Sequence, residues 1–460
     1  MTRASAEDAA HPAQPRGLYV LFGVEMWERF SYYGMRALLV LFLANAVSGF
    51  GYSQEDAIAV YKWYTTAVYV TPLLGGYLAD RYMGTHRALL VGAVVISAGH
   101  FSLALATKPT FFVGLALIAL GTGFFKSNIS TMVGQLYDEG DRRRDAGFTV
   151  FYLGINLGAA LGQFVCGWLS ESPTFGYHYA FGAAGVGMLL GLAQYVRGKR
   201  KHLGPIGDVP ARRATTAEAT KAPAPPLTKL ELERLLAVVI LALFNVVFWA
   251  AFEQAGSSMN FFALSRTDRT LFGREIPAPW FQSVNPVVIV IFGGLFSWLW
   301  TWLGRRGREP NTPAKMGLGL ILQGMGFAFM VVGASASEGG QLASPAYLVL
   351  AYVFITWGEL CVSPVGLSMV TKLAPARFAS LLMGFWFLTT ALANFLAGQL
   401  AESTTRIARG DLFRALGGQA DFFLIFVVAS TAAGVLLLLA SRRLTRMMHE
   451  GDVPSPSSHR

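Results

Sequence analysis

Long runs of apolar residues alternate with short polar stretches along the whole chain. Each run is long enough to cross a bilayer, because a hydrocarbon core of about 30 Å needs about 20 residues of α-helix. Twelve runs begin near residues 18, 55, 86, 110, 146, 178, 235, 279, 314, 346, 377 and 419. The pattern therefore predicts an all-α integral membrane protein with twelve transmembrane helices.

A polar stretch at residues 198–230 divides the twelve runs into two sets of six. It holds Pro223, Pro225 and Pro226, which is typical of a linker rather than of a further helix. We therefore predict two six-helix bundles, at residues 18–197 and 231–443, joined by a linker at residues 198–230. An N-terminal tail at residues 1–17 and a C-terminal tail at residues 444–460 flank the bundles.

The first run of each half contains a similar pattern of residues. Six identities recur at an offset of 222, with Leu21, Phe22, Val24, Trp27, Phe30 and Gly34 matching Leu243, Phe244, Val246, Trp249, Phe252 and Gly256. Chance matching of apolar helices is the alternative. A true repeat makes helices 1 and 7 equivalent, and in transporters built from parallel six-helix repeats the substrate site lies between the halves near the bilayer midplane.

Composition and charge support a membrane protein. The 460 residues are 53% hydrophobic and 14% charged, against about 25% charged in ordinary soluble domains. The net charge of +10 could indicate a nucleic-acid partner, but the bases lie in short blocks between apolar runs. Of 37 lysines and arginines, 26 accompany the two termini and the even-numbered connections, and 7 lie on the other side. We therefore expect no nucleic-acid partner and cytoplasmic termini.

No pattern typical of an enzyme or a metal site competes with this prediction. Residues 121–127 (GTGFFKS) superficially resemble a phosphate-binding loop, but Phe125 replaces a required glycine and no strand precedes it. Cys166 and Cys361 lie inside apolar runs, and the seven histidines form no HExxH pair. We expect no catalytic residue, metal or cofactor.

Eight charged residues remain inside the predicted helices. A charge at the centre of a transmembrane helix costs about 2.5 to 3.5 kcal/mol, so these residues must pair, bind a charged ligand or lose their charge. They are Arg29, Arg36, Lys62, Lys126, Glu25, Glu28, Glu253 and Glu359.

Helix 1 presents one polar face, about 16 Å long, because its polar residues recur at spacings of three and four. These residues are Glu25, Glu28, Arg29, Tyr32, Tyr33 and Arg36. A purely structural ion-pair network is the alternative, most of all for Glu25 with Arg29. Arg36 has no acid within one turn and needs a partner on another helix or on a ligand. Lys62 lies near the outer end of helix 2, where it could equally snorkel to water.

Four stretches carry recognisable motifs: EMWERFSYYG (25–34), GGYLADRYMGTHR (75–87), FYLGINLGA (151–159) and GELCVSPVGLS (358–368). The first resembles the ExxERFxYYG signature of the proton-dependent oligopeptide transporters (POT/PTR), members of the major facilitator superfamily. The third resembles the FYxxINxG signature of that family, and the second resembles the superfamily's loop between helices 2 and 3. The resemblance extends over about residues 18–443.

Two features depart from the family pattern. Many bacterial relatives insert two helices between the halves, whereas residues 198–230 are too short and polar to hold them. Some relatives carry a histidine on helix 2 that is tied to proton coupling, where this chain has Lys62. This difference argues against a histidine-based proton route.

The resemblance implies a major facilitator fold and the import of di- and tripeptides with protons across the bacterial inner membrane by alternating access. A zwitterionic peptide needs cations at one end and an acid at the other; Arg36 and Lys126 can hold its carboxylate and Glu359 its amine. Other positions match family residues that line the cavity (Tyr32, Tyr33, Tyr69, Trp249 and Trp386) or hydrogen-bond the peptide backbone (Asn156 and Asn285).

Proton coupling needs groups that can change charge. The resemblance favours Glu253 as the partner of Arg36, so that a proton on Glu253 frees Arg36 for the peptide carboxylate. Lys126 and Glu359 would pair similarly when no peptide is bound. The cluster that relays or holds a proton would be Glu25, Glu28 and Arg29. We expect a monomer whose partners are peptides, protons and the lipid bilayer.

Two other functions stay open. A proton symporter of the same fold could carry nitrate or a modified amino acid, although the presence of Glu359 beside Arg36 and Lys126 argues for a zwitterion. The second alternative function is that of a membrane receptor or scaffold that transports nothing. The charged residues inside the membrane argue against this alternative.

Overall fold

The computed structural model describes residues 13–105, 107–138, 141, 143–210, 228–373 and 379–449. Most of the two predicted tails and of the predicted linker lie outside these residues, so the domain boundaries remain predictions. Twelve helices of 20 residues or more occur in the described part of the chain, and they are numbered α1 to α12 in chain order.

The first half contains α1 (Arg16–Ala44), α2 (Gln54–Leu78), α3 (Thr85–Ala104), α4 (Lys108–Gly134), α5 (Arg143–Glu171) and α6 (Tyr177–Gly198). The second half contains α7 (Lys229–Phe252), α8 (Val284–Arg305), α9 (Thr312–Ala336), α10 (Pro345–Leu373), α11 (Ala379–Glu402) and α12 (Gly418–Met448). A two-stranded hairpin, Thr270–Leu271 with Arg274–Glu275, lies in the connection before α8.

The predicted apolar runs coincide with these helices, and two starts differ most. Helix α7 begins at Lys229 rather than near 235, because Thr228 and Glu231 form a capping box that starts the helix among polar residues. Helix α8 begins at Val284 rather than near 279, because a 3₁₀ segment, Ala278–Ser283, precedes it. Both differences come from local hydrogen bonding that an apolar pattern does not contain.

Nine helical spans in the described part of the chain are long and apolar enough to cross a membrane by length and composition. Helix α1 is not among them, because four charged residues interrupt its apolar pattern. Nevertheless, 22 of its 29 residues are buried. A charged helix surrounded by protein on nearly all sides is a central helix of the bundle, shielded from lipid.

Glycines let α5 pack closely on α1. A Cβ atom added to Gly158 would collide with the carbonyl oxygen of Met26, and one added to Gly162 would collide with that of Phe30. The two glycines are four residues apart, the spacing that brings transmembrane helix backbones together. The FYLGINLGA motif thus includes part of a helix-packing surface.

We expect Gly158→Ala to destabilise the protein by roughly 1–3 kcal/mol, because the added methyl group must separate α1 from α5. Thermal unfolding in detergent measures this change. Gly293→Ala is the matched control, since no atom lies within 4 Å of a Cβ there. The control should be neutral or slightly stabilising, as alanine favours a helix over glycine. Equal unfolding temperatures for both variants would contradict close packing at Gly158.

Among the described side chains, the polar contacts between the two halves lie at one end of the bundle. We call the end where α1 and α7 begin the terminal end, and the opposite end the far end. Among the described residues, every hydrogen bond and ion pair between the halves lies toward the far end. For example, Asn260 Nδ2 donates to the carbonyl oxygen of Ala37 at 2.8 Å. Polar contacts between the halves therefore close the far end.

Candidate functional site

A cavity of about 390 Å³ lies between the halves, and both contribute to its walls. Of the fourteen site residues predicted from the sequence, eleven line it: Glu25, Arg29, Tyr33, Arg36, Tyr69, Lys126, Asn156, Trp249, Glu253, Asn285 and Glu359. Glu28, Tyr32 and Trp386 lie outside its wall in this conformation. Tyr32 is buried in the apolar core, and Trp386 packs within the core of the second half.

Two acids and one base form a buried cluster on α1. Arg29 Nε lies 2.9 Å from Glu25 Oε1 and 2.5 Å from Glu28 Oε2, and all three side chains are at most 5% exposed. The second oxygen of Glu25 and Oε1 of Glu28 accept no hydrogen bond from the described residues. With both acids ionised the cluster carries one excess negative charge, which burial disfavours. One bound proton would neutralise it.

Arg36 joins the halves at the centre of the closed end. Its Nη2 donates to Glu253 Oε2, and its Nε donates to the Tyr61 hydroxyl at 2.6 Å. The guanidinium also lies 5.9 Å from the ring centroid of Tyr33 and 5.6 Å from that of Tyr61. Arg36 has no acid within one turn of α1, and its partner lies in the turn that follows α7 in the other half.

Glu253 lies where its helix breaks. Helix α7 ends at Phe252, a 3₁₀ turn covers Glu253–Gly256, and a short helix follows at Ser258–Ser265. A Cβ at Gly256 would collide with the Tyr61 hydroxyl that binds Arg36. The break was not predicted, although the sequence AGSS at residues 255–258 is rich in small residues that favour one.

Lys126 and Glu359 both line the cavity but contact different partners. Lys126 Nζ lies 4.0 Å from the ring centroid of Tyr69, and no ion pair joins it to an acid among the described residues. Glu359 Oε2 instead accepts a hydrogen bond from Asn285 Nδ2 at 2.7 Å, and Thr356 Oγ1 lies 3.0 Å from the same nitrogen. The expected Lys126–Glu359 pair is therefore not formed in this conformation.

Lys62 does not reach water by snorkelling. Its side chain is 8% exposed, and its Nζ lies 2.7 Å from Glu402 Oε1 at the end of α11. Nζ also donates to Gln399 Oε1 at 3.2 Å. The snorkelling alternative was wrong because the sequence does not show that α11 lies beside α2.

Sequence reasoning missed several uncharged polar residues of the cavity wall: Ser130, Tyr152, Gln163, Gln282, Tyr352 and Ser363. Such residues are common in transmembrane helices and give no signal comparable to a buried charge. Tyr152 was detectable, since it precedes Asn156 by one turn in the FYLGIN motif and its carbonyl oxygen accepts the Asn156 amide at 3.0 Å.

The charges of the cavity are divided between the halves. The first half contributes three bases and one acid, Arg29, Arg36, Lys126 and Glu25, and the second half contributes the acids Glu253 and Glu359. Such a cavity can orient a molecule that has an anionic and a cationic end. Within the described residues, no three His, Cys, Asp or Glu side chains are grouped so that they could hold a metal ion.

The sequence matches known proteins over nearly its whole length. The model of the POT family matches residues 86–222 and 226–415. The uncharacterized transporter YclF of Bacillus subtilis is 38% identical over 93% of this chain and 94% of the relative. A di-/tripeptide transporter of Lactococcus lactis is 34% identical over 96% of this chain and 97% of the relative.

Solved structures have the same architecture. A peptide transporter POT variant in complex with alafosfalin has a TM-score of 0.85 and 36% identity, and the match covers 95% of this chain and 96% of that one. A POT family transporter in complex with 5-aminolevulinic acid has a TM-score of 0.84 and 30% identity, covering 94% and 97%. The predicted all-α major facilitator fold is confirmed, and the multi-pass membrane character follows from it.

Proposed function

Because the chain belongs to the POT family, we propose that it imports di- and tripeptides together with protons across the cytoplasmic membrane by alternating access. The observation that supports this most is the division of charge across the cavity: the first half carries a net positive charge from three bases and Glu25, and the second half carries two acids. A peptide with free termini is the simplest substrate that matches both signs.

The contacts around the bases suggest how the peptide carboxylate binds. Lys126 lies over the Tyr69 ring and forms no ion pair with an acid among the described residues, so it is available to an anion. Arg36 is held by Glu253 and becomes available only when that pair opens. We propose that the carboxylate contacts Lys126 first and then competes with Glu253 for the planar guanidinium of Arg36, which suits a carboxylate.

The amine of the peptide is assigned to Glu359. One carboxylate oxygen of Glu359 is held by Asn285, which orients the group on the cavity wall opposite Lys126. The other oxygen has no hydrogen bond that competes with an ammonium group among the described residues. A peptide unit extends about 3.3 to 3.6 Å per residue, so a di- or tripeptide supplies the span that a single amino acid lacks.

Proton coupling is proposed to act through Glu253 and the α1 cluster. A proton on Glu253 removes its charge, weakens the pair with Arg36 and loosens the centre of the far end. We propose that the cluster of Glu25, Glu28 and Arg29, two members of which line the same cavity, holds one proton. Peptide and proton then favour the same change of state, which is symport by linkage.

We propose that the terminal end faces the cytoplasm, because the distribution of basic residues favours this orientation. The conformation described above, closed at the far end, is then the inward-facing state. The chain is proposed to act as a monomer, since each half supplies one wall of a single cavity.

A modified amino acid is the second candidate substrate. One related POT transporter structure contains 5-aminolevulinic acid, a molecule that also has an amine and a carboxylate. Competition between that compound and dialanine for uptake distinguishes the two substrates.

Uptake of labelled dialanine into proteoliposomes, with and without an inward proton gradient, tests the proposed function. We expect uptake above that of empty liposomes and strong stimulation by the gradient. Accumulation that does not depend on the gradient would contradict proton coupling. A lack of uptake of any di- or tripeptide would contradict peptide transport.

Blocking the peptide carboxylate should weaken binding strongly. Dialanine amide lacks the anion that Lys126 and Arg36 are proposed to bind, and we expect it to compete at least roughly tenfold less well than dialanine, as hydrogen bonds to charged groups contribute about 1.5 to 3 kcal/mol. Inhibition of labelled dialanine uptake measures this. Equal inhibition by dialanine and its amide would exclude the carboxylate contact.

A further inference from the structure

Two ion pairs flank the central Arg36–Glu253 pair at the far end. On one side, Lys62 of α2 lies 2.7 Å from Glu402 of α11. On the other, Arg269 Nη1 lies 2.7 Å from Glu171 Oε2, the last residue of α5. Each pair joins one half of the protein to the other, and none of the four side chains lines the cavity.

The Lys62–Glu402 pair is held in a shaped site. The Lys62 stem packs on Gly398, where a Cβ atom would collide with it. Its ammonium lies 5.6 Å from the ring centroid of Trp63 and 5.3 Å from that of Phe395. Glu402 is 21% exposed, so the pair lies at the boundary between the protein interior and the outside.

The Arg269–Glu171 pair has a comparable set of contacts. The second oxygen of Glu171 accepts the backbone N–H of Ala278 at 2.8 Å. Arg269 also donates to Glu275 at 2.5 Å and to the carbonyl oxygen of Ile276 at 2.9 Å. Glu171 thereby contacts both ends of the hairpin connection that leads into α8.

The two pairs are related by the repeat of the fold. Glu171 and Glu402 are the last residues of α5 and α11, the fifth helices of the two halves. Their partners lie on α2 and in the connection that enters α8, the second helices of the two halves. The fifth helix of each half is thus tied to the second-helix region of the other half.

We propose that these two flanking ion pairs hold the far end closed and must break each time it opens. This inference rests on the alternating access of the proposed function. Because the flanking pairs do not touch the cavity, they set the balance between the two conformations rather than contact the substrate. The Arg36–Glu253 pair responds to protons. The flanking pairs determine the fraction of molecules that stays closed at the far end when the Arg36–Glu253 pair breaks.

Distances between spin labels at Val47→Cys and Leu412→Cys, in a Cys166→Ala/Cys361→Ala background, test the proposal in lipid nanodiscs without peptide. These positions are 98% and 51% exposed and lie in far-end connections of opposite halves. We expect Lys62→Met or Glu171→Gln to increase the far-end-open population roughly 5- to 30-fold, the effect of one or two kcal/mol. The double variant should increase it further.

Lys108→Met is the matched control, because Lys108 lies at the same end but over the Tyr52 ring of its own half, at 5.0 Å. Glu402→Gln removes the same pair as Lys62→Met at a more exposed position, so a folding defect in one variant leaves the other informative. Exchanging the charges, with Lys62→Glu and Glu402→Lys together, should restore the closed population lost in Lys62→Glu alone.

Distance distributions of Lys62→Met, Glu402→Gln and Glu171→Gln that superimpose on the control would overturn the proposal, as would a charge exchange without recovery. Peptide uptake is measured separately on the same variants. If the distances shift but the protein imports no peptide, the proposal on the flanking pairs stands and the proposed function is wrong.

Discussion

Replacing Glu253 with Gln is expected to abolish most proton-driven peptide accumulation while leaving peptide exchange in place. Glutamine has the shape of a protonated glutamate, so Arg36 loses its ionic partner permanently and stays available to the peptide carboxylate. The protein can then move peptide in both directions, but no proton equilibrium links the two conformations. A coupling energy of about 1–3 kcal/mol corresponds to a loss of roughly 5- to 150-fold in driven uptake.

Two assays on the same proteoliposomes separate these effects. Uptake driven by an inward proton gradient should collapse in Glu253→Gln, whereas counterflow of labelled against unlabelled dialanine should be retained. Glu338→Gln is the matched control, because Glu338 lies in a far-end connection beside Gly418 of its own half. Driven uptake near the wild-type level in Glu253→Gln would show that Glu253 is not a coupling group.

The site residues on α1 could be predicted because their geometry is local. Spacings of three and four place Glu25, Arg29, Tyr33 and Arg36 on one side of a helix wherever that helix lies in the bundle. The burial of that side followed from the cost of exposing charges to lipid. Tyr32, only one residue from Tyr33, points into the core, since adjacent residues diverge by about 100° around a helix.

Contacts between distant helices could not be predicted in the same way. The apolar pattern does not show which helices are neighbours, so Glu402 is not among the eight charges that the sequence places inside helices, and Lys62 has no visible partner in the sequence. The same limit applies to Trp386, whose helix is rotated so that this side chain packs in the core of the second half. The break of α7 at Glu253 depends on the approach of Tyr61 to Gly256, which is also a contact between distant segments.

The expected pairing of Lys126 with Glu359 illustrates a further limit, because it depends on the conformation. These residues lie on α4 and α10, in opposite halves, and Glu359 is bonded to Asn285 whereas Lys126 lies over the Tyr69 ring. A charge pair between them would draw the two halves together at the terminal end. We therefore propose that the pair belongs to the conformation that closes this end, in which the far end has opened.

The second large effect is expected from Lys126 and Glu359 together. Glu359→Gln removes the counter-charge of the peptide amine, and Lys126→Ala removes part of the carboxylate site. Each change also leaves the other residue without a partner when the terminal end closes. Loss of one member of a buried pair costs about 3 to 5 kcal/mol, so either variant should lose most peptide transport.

A double-mutant cycle on peptide affinity decides whether the two residues act together. Residues that share a contact, directly or through a bound peptide, show interaction energies of roughly 0.5 to 3 kcal/mol. Asn285→Ala provides the comparison for Glu359, since it removes the hydrogen bond that orients this carboxylate and leaves its charge in place. It should weaken binding less than Glu359→Gln. Additive effects of Lys126→Ala and Glu359→Gln would show that Glu359 does not pair with Lys126. If N-acetylated dialanine also binds to the wild type as well as dialanine does, Glu359 does not receive the peptide amine.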